Sequence, residues 1–196
     1  MPADVIIRLI EQSEHELMSL LTARLYLDTI AVSYQGFCTP ENLSARNVWT
    51  EASECHEWLK GSQGRMTVAH LDGRLVGYAA YCPNREEPRD YDWALEGFFV
   101  RPEVQARGVG TRLLGAAVDD MAAAGGKRLV VATFASSQAE RYYLATGAQL
   151  LFETSNEYFG QPNRVSFLGW ELDQLARHLC SRLSSQSRQT QREEGA

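Results

Sequence analysis

The stretch VRPEVQARGVGTRLL (residues 100–114) changes character at Gly108. It follows the apolar run DWALEGFFV (92–100), which reads as a strand. It leads into GTRLLGAAVDDMAAAG (110–125), where Leu113, Leu114, Ala117, Val118 and Met121 recur at helical spacing up to a glycine stop. A strand that turns through glycines into a helix leaves several backbone N–H groups without partners at the helix N-terminus. The helix dipole adds partial positive charge there, so phosphate is a natural ligand. Gly108 and Gly110 keep side chains out of the way, and Thr111 adds a hydroxyl. Gly-Val-Gly nevertheless lacks the third glycine of a dinucleotide fingerprint, and no Gly-Lys-Ser/Thr follows. On the glycines alone, a plain turn and an anion cradle stay equally open.

Outward from this point the chain alternates strand and helix patterns. DVIIRLI (4–10) reads as a first strand. SEHELMSLLTARLYLDTIAVSY (13–34) reads as a helix opened by a Ser13/Glu16 capping box, with a stripe of Leu17, Leu20, Leu21, Leu25 and Ile30. A second helix starts at Thr39-Pro40 and ends near Gly61. Asp72-Gly73 joins 65–71 and 74–82 as a hairpin. Past the 110–125 helix come a strand (128–134), a short helix capped by Ser136 and stopped by Gly147, and two strands (148–159, 164–172) around the turn GQPN. The expected fold is α/β (α+β), a mixed, mostly antiparallel central sheet of about seven strands flanked by helices. Residues 173–184 form an amphipathic stripe, read as a helix that either packs on its own domain or meets a partner chain in a homodimer. The polar stretch 185–196 reads as a disordered tail.

A net charge of -6 argues against a general nucleic-acid surface. No window reaches roughly 18 consecutive apolar residues, so no membrane span is expected. The four cysteines are far apart, which fits a reduced, cytoplasmic protein without structural metal. The four histidines fall in no chemical motif.

The longer pattern decides more than the glycines do. Val100-x-Pro102 followed by Gln105-Ala-Arg-Gly108-Val-Gly110 resembles the Q/R-x-x-G-x-G/A signature of the GNAT acyltransferase superfamily. AERYYLATGA (139–148) resembles that family's second segment, with Tyr143 four residues before Gly147. The resemblance covers roughly residues 5–172 and is strongest from 92 to 150, which makes 1–172 the acyl-CoA N-acyltransferase domain. It implies acetyl-CoA as cosubstrate, with pyrophosphate on the backbone of Gln105, Ala106, Arg107, Gly108, Val109, Gly110 and Thr111. Pantetheine would lie along Phe98, Phe99 and Val100, in a gap between the fourth and fifth strands, with a β-bulge near Gly97. Ser136 stands where the family often has asparagine.

The family's chemistry is direct attack of an amine on the thioester. Glu96 is the expected general base: it is an acidic residue in an apolar strand, and period two puts it on one face with Phe98 and Val100. Asp92 and Glu157 are alternatives. Tyr143 is the expected general acid, and the Val100 amide the oxyanion donor. The acceptor, a small-molecule or peptide amine, is expected against Tyr34, Phe37, Trp93 and Tyr158. Around these lie further aromatic residues (Tyr26, Tyr91, Phe159) and acidic ones (Asp28, Glu86, Glu87, Asp90, Glu157). A catalytically silent acyl-CoA-binding module is the rival reading.

Overall fold

The computed structural model describes residues 5–61 and 63–194, and side-chain surroundings through residue 185. The strands are β1 (Ile6–Leu9), β2 (Arg65–Leu71), β3 (Arg74–Pro83), β4 (Trp93–Val100), β5 (Arg128–Phe134), β6 (Gln149–Tyr158) and β7 (Gln161–Glu171). The helices are α1 (His15–Ser33), α2 (Pro40–Ala45), α3 (Val48–Gly61), α4 (Val109–Ala123), α5 (Gln138–Ala145) and α6 (Leu172–Glu194). They assemble into the mixed sheet expected, in the order β1-β2-β3-β4-β5-β7-β6. Every neighbouring pair is antiparallel except β4 with β5, which run parallel.

Two apolar layers sandwich the sheet. On one face Leu113, Leu114, Ala117 and Met121 of α4, with Leu172, Leu175 and Leu179 of α6, pack on Trp93, Leu95, Val100 and Leu129. On the other, Met18 and Leu25 of α1 and Leu59 of α3 pack on Met66, Val68, Tyr78 and Ala80. α4 therefore meets the sheet on the side opposite α1 and α3, and β4 runs between both layers.

Several boundaries differ from the sequence reading. The start of α1 is organised by Glu14, not by Ser13 with Glu16. The Glu14 carboxylate accepts the Glu11 N–H at 2.9 Å and both Arg8 terminal nitrogens at 2.6 Å. The Arg8 bonds hold its carboxyl down at about 2. The buried face of α1 is also rotated from the leucine stripe: Leu17 and Leu21 are exposed, whereas Met18, Thr22, Leu25 and Thr29 are buried. Thr22 and Thr29 hide their polarity by donating back to the Met18 and Leu25 carbonyls at 2.7 and 2.8 Å. The long second helix is broken at Arg46-Asn47, where the Asn47 side chain accepts the Thr50 N–H at 3.0 Å and restarts the chain as α3.

The β6–β7 turn is Phe159-Gly160, with φ of 54° and 78°, so Gln161 to Asn163 belong to β7 and not to a turn. The backbone of α6 continues through Glu194, where a disordered tail from 185 was expected. The added turns are rich in Gln, Arg and Glu, which are good helix formers, and carry no proline or glycine before Gly195. Residues 195 and 196 lie outside the described residues.

Candidate active site

The site begins with a defect in β4. Ala80 pairs with Gly97 but Tyr81 pairs with Leu95, so Glu96 is an extra residue in a β-bulge. The bulge flips the side-chain parity. Trp93 and Leu95 face α4 before it, and Phe98 and Val100 face α4 after it. Glu96 is turned to the other side, where the Cys82 thiol donates to its carboxylate at 3.8 Å. Strict alternation had put Glu96 with Phe98 and Val100; the extra residue separates them.

The second defect is between β4 and β5. Their pairing stops after Leu95 with Val131. Beyond that point the strands part, as the resemblance implies. The Arg101 N–H donates to the Val76 carbonyl at 2.8 Å. By strand alternation the Val100 amide therefore points away from β3, into the gap. The Val100 carbonyl on that side accepts the Gln105 side-chain amide at 2.8 Å.

The loop after β4 reaches α4 through two left-handed residues, Ala106 (φ 59°) and Gly108 (φ 80°). Gly108 is the N-cap residue of α4. No side chain caps this helix, and its first turn holds no acidic residue. Its first backbone bond runs from Arg112 N–H to the Gly108 carbonyl. The amides of Val109, Gly110 and Thr111 thus lack intrahelical partners at the positive end of the dipole, as an anion site requires. A Cβ at Gly110 would stand 3.5 Å from the Phe98 ring. The glycine leaves the helix backbone bare at that point.

These parts open on one cleft of about 1160 Å³ that passes through the gap in the sheet. Its lining on the α4 side includes Phe98, Val100, Gln105, Ala106, Gly108, Gly110, Thr111 and Tyr143. From the α1 side come Tyr34, Glu96, Phe99 and Tyr158.

The remaining expected residues sit elsewhere. Trp93 is buried in the α4 core, edge-on to Tyr81, because it precedes the bulge. Phe37 lies behind the wall, stacked on Phe134 at 4.9 Å. Arg107 is exposed and outside the lining, and Val109 is buried in the core. Ser136 is exposed with φ 67°; the α5 cap that lines the cleft is its neighbour Ser137, whose hydroxyl accepts the Glu140 N–H at 3.0 Å. Of the alternative bases, Asp92 accepts the Lys127 and Arg128 N–H groups at 2.7 and 2.9 Å, and Glu157 is not part of the lining. Tyr91 packs under Gly169, and Asp90 pairs with Arg128.

Burial sets the titration of the polar groups. The Glu96 side chain is exposed along the cleft, and the partial desolvation it keeps there raises its carboxyl above the ordinary range. Nearby Glu86 adds to the rise and the Cys82 thiol opposes it. The thiol itself is pushed up to about 11, first by burial and then by Glu96, which makes it a poor nucleophile. Tyr143 is buried against Phe98 and Trp170, and burial drives its phenol far above the usual value.

Sequence reading missed the contribution of α3. Glu51, Glu54, Cys55 and Trp58 line the α1 side of the cleft. Their spacing (i, i+3, i+4, i+7) is one helical face, and that was the available signal. Arg46 pairs with Glu51 at 2.7 Å and lies 4.4 Å from the centre of the Phe159 ring. The β6–β7 turn roofs this end: the Asn163 side-chain amide donates to the Phe37 and Tyr158 carbonyls at 2.9 Å. Among the described residues, no three His, Cys, Asp or Glu side chains gather to hold a metal ion. No helix there is long and apolar enough to cross a membrane.

A sheet opened between its parallel strands, with an uncapped helix start at the mouth of the opening, is the framework of an acetyltransferase. More specifically, the chain belongs to the acetyltransferase (GNAT) family, whose sequence model matches residues 22–148. The fold is shared with a protein from Desulfovibrio desulfuricans assigned as an acetyltransferase of the GNAT family (22% identity, TM-score 0.64, covering 86% of this chain and 99% of that one). It is shared with an acetyltransferase assigned in Salmonella typhimurium, solved with its cofactor acetyl-CoA (17%, 0.61, 86% and 94%). It is also shared with the PaiA N-acetyltransferase of Thermoplasma acidophilum in complex with coenzyme A (13%, 0.62, 86% and 99%). No curated protein matches the sequence.

Proposed function

We propose that this protein transfers the acetyl group of acetyl-CoA to a primary amine, that of a small molecule in preference to a protein. One observation carries the reading: a single cleft runs through the sheet, joining the uncapped α4 start on one face to an acidic, aromatic chamber on the other. The donor enters from the α4 face and lays its diphosphate on the 105–111 backbone. The amine enters from the α1 face, past Tyr26, Tyr34, Tyr158, Glu51, Glu54, Glu86 and Glu87. These carboxylates and rings suit a cation.

The two meet at the bulge. Glu96 takes a proton from the ammonium, through water, and the free amine attacks the thioester carbon. The C–N bond forms and the carbonyl electrons move onto oxygen, where the Val100 amide stabilises them. The carbonyl then re-forms as the C–S bond breaks, and Tyr143 gives its proton to the departing thiolate. The newly bonded nitrogen loses its surplus proton through water, which restores the phenol and leaves a neutral amide. The raised phenol is no obstacle, because a thiolate released into the same apolar space is also desolvated and more basic.

The test is release of free CoA thiol from acetyl-CoA across a panel of diamines, polyamines, aromatic amines, amino acids and peptides. Turnover is expected with cationic small amines. Binding of CoA without turnover on any amine would refute the catalytic reading and leave a silent acyl-CoA-binding module.

A further inference from the structure

The charged side chains lining the cleft are unevenly placed. Glu51, Glu54, Arg85, Glu86, Glu87 and Glu96 all come from α3, the β3–β4 connection or the bulge. At the end bounded by α4 and α5, Arg182 is the one charged lining residue among those described. It comes from α6, outside the stretch that the family model matches.

Arg182 is held in place but electrically unspent. Buried Leu172, Leu175 and Leu179 pin α6 on the α4 layer. The Arg182 guanidinium donates one N–H to the Ala145 carbonyl at 3.0 Å, and its carbon lies 6.0 Å from the centre of the Tyr142 ring. That ring stacks on Phe98 at 5.7 Å, at the edge of the gap. No carboxylate among the described residues is within ion-pair distance of Arg182. A guanidinium carries five N–H donors, so most remain available. A half-buried arginine with no counter-ion among the described residues, lining the same cleft as helix amides that also lack partners, matches a multiply charged phosphate ligand.

We infer that Arg182 is a donor-binding residue, through which the C-terminal helix holds a phosphate group of the acyl-CoA. The inference rests on the acetyl-CoA reading above and adds to it a cation that the family motif does not supply. Anchorage by Ala145 and Tyr142 restricts the side chain beforehand, so little conformational freedom is lost when phosphate arrives.

The test is titration calorimetry of the full chain with CoA, acetyl-CoA and dephospho-CoA, for wild type, R182Q and R182K. Glutamine keeps an N–H for Ala145 and loses the charge. R182Q is expected to bind CoA about tenfold more weakly or worse, as the loss of a hydrogen bond to a charged group implies. R182K should recover part of that loss, and the defect should appear in KM for acetyl-CoA, relieved by saturating donor. If Arg182 holds the 3′-phosphate, wild type and R182Q will bind dephospho-CoA alike; if it holds the diphosphate, the defect will persist. R182Q binding CoA as tightly as wild type overturns the inference and leaves the acetyl-CoA reading intact. Equal weakening of R182Q and R182K, with lowered melting temperatures, also overturns it by showing a merely structural arginine. A wild-type chain that binds no CoA of any kind sinks the donor reading and the inference together.

Discussion

Replacing Glu96 with glutamine should move activity and stability in opposite directions. The glutamine keeps the size of the side chain and an oxygen for the Cys82 thiol, so the bulge and its one side-chain hydrogen bond survive. What is lost is the base. A positioned base supplies roughly 10²–10⁴-fold. One that works through water in a cleft open to solvent belongs in the lower half of that range, and about 10²–10³-fold corresponds to roughly 3–4 kcal/mol of barrier. Because desolvation raises the Glu96 carboxyl, the wild-type acid limb of kcat/KM should lie above the ordinary carboxylate range, and it should vanish in the variant.

The stability sign follows from the same shift. A carboxyl whose folded pKa exceeds its unfolded pKa contributes stability that is fully present below the unfolded value and lost as pH rises through the folded one. At neutral pH the ionised Glu96 is therefore a burden on the fold, and glutamine removes it. Thermal melts at neutral and acid pH, beside initial rates with an accepted amine, check both halves. The variant should melt higher than wild type near pH 7, with the gap shrinking as pH falls into the carboxylate range. Near-normal turnover refutes the base role, and a lower melting point at neutral pH refutes the desolvation argument.

Tyr143→Phe fits the same pocket between Phe98 and Trp170, so melting and CoA affinity should hold while turnover drops by about 10²-fold; unchanged turnover removes Tyr143 from the acid role. Leu179→Ala empties a position only 2% exposed under α6. It should cost about 3 kcal/mol, a fall of roughly 6–12 °C in melting temperature, and a drop under about 2 °C would mean that α6 is peripheral. Gly126→Ala would drive a Cβ into the Trp93 indole nitrogen and set it 3.0 Å from the Met121 carbonyl. Overpacking of this kind should cost about 1–3 kcal/mol in denaturant unfolding, and a neutral result would show that Trp93 can swing aside.

The α4 side of the cleft was legible because its geometry is local. Gly108, Gly110, Gln105 and Tyr143 sit in contiguous motifs whose backbone demands are written in residue type. The α1 side depends on parity and tertiary layering. One extra residue at Glu96 reversed the faces of β4, sending Trp93 into the core and separating Glu96 from Phe98. Phe37 was right in its loop and wrong in depth, since Phe134 from a distant strand covers it. Ser136 and Ser137 are equivalent in sequence, and only the left-handed turn at 136 decides which one caps α5. Arg182 was invisible because nothing in a polar helical stretch tells which neighbour its side chain will reach.

The short union of β4 with β5 has a mechanical consequence. Three residue pairs join the two halves of the sheet, Trp93 to Leu95 with Leu129 to Val131. One half is β1–β4, antiparallel throughout; the other is β5, β7 and β6, again antiparallel. Every other junction of the sheet carries between four and nine residue pairs, so the seam is the shortest of them. The seam is thus the first place for the sheet to breathe. Amide hydrogens along it should exchange ahead of those inside either half, and a ligand lying across it would act as a clasp on the whole molecule.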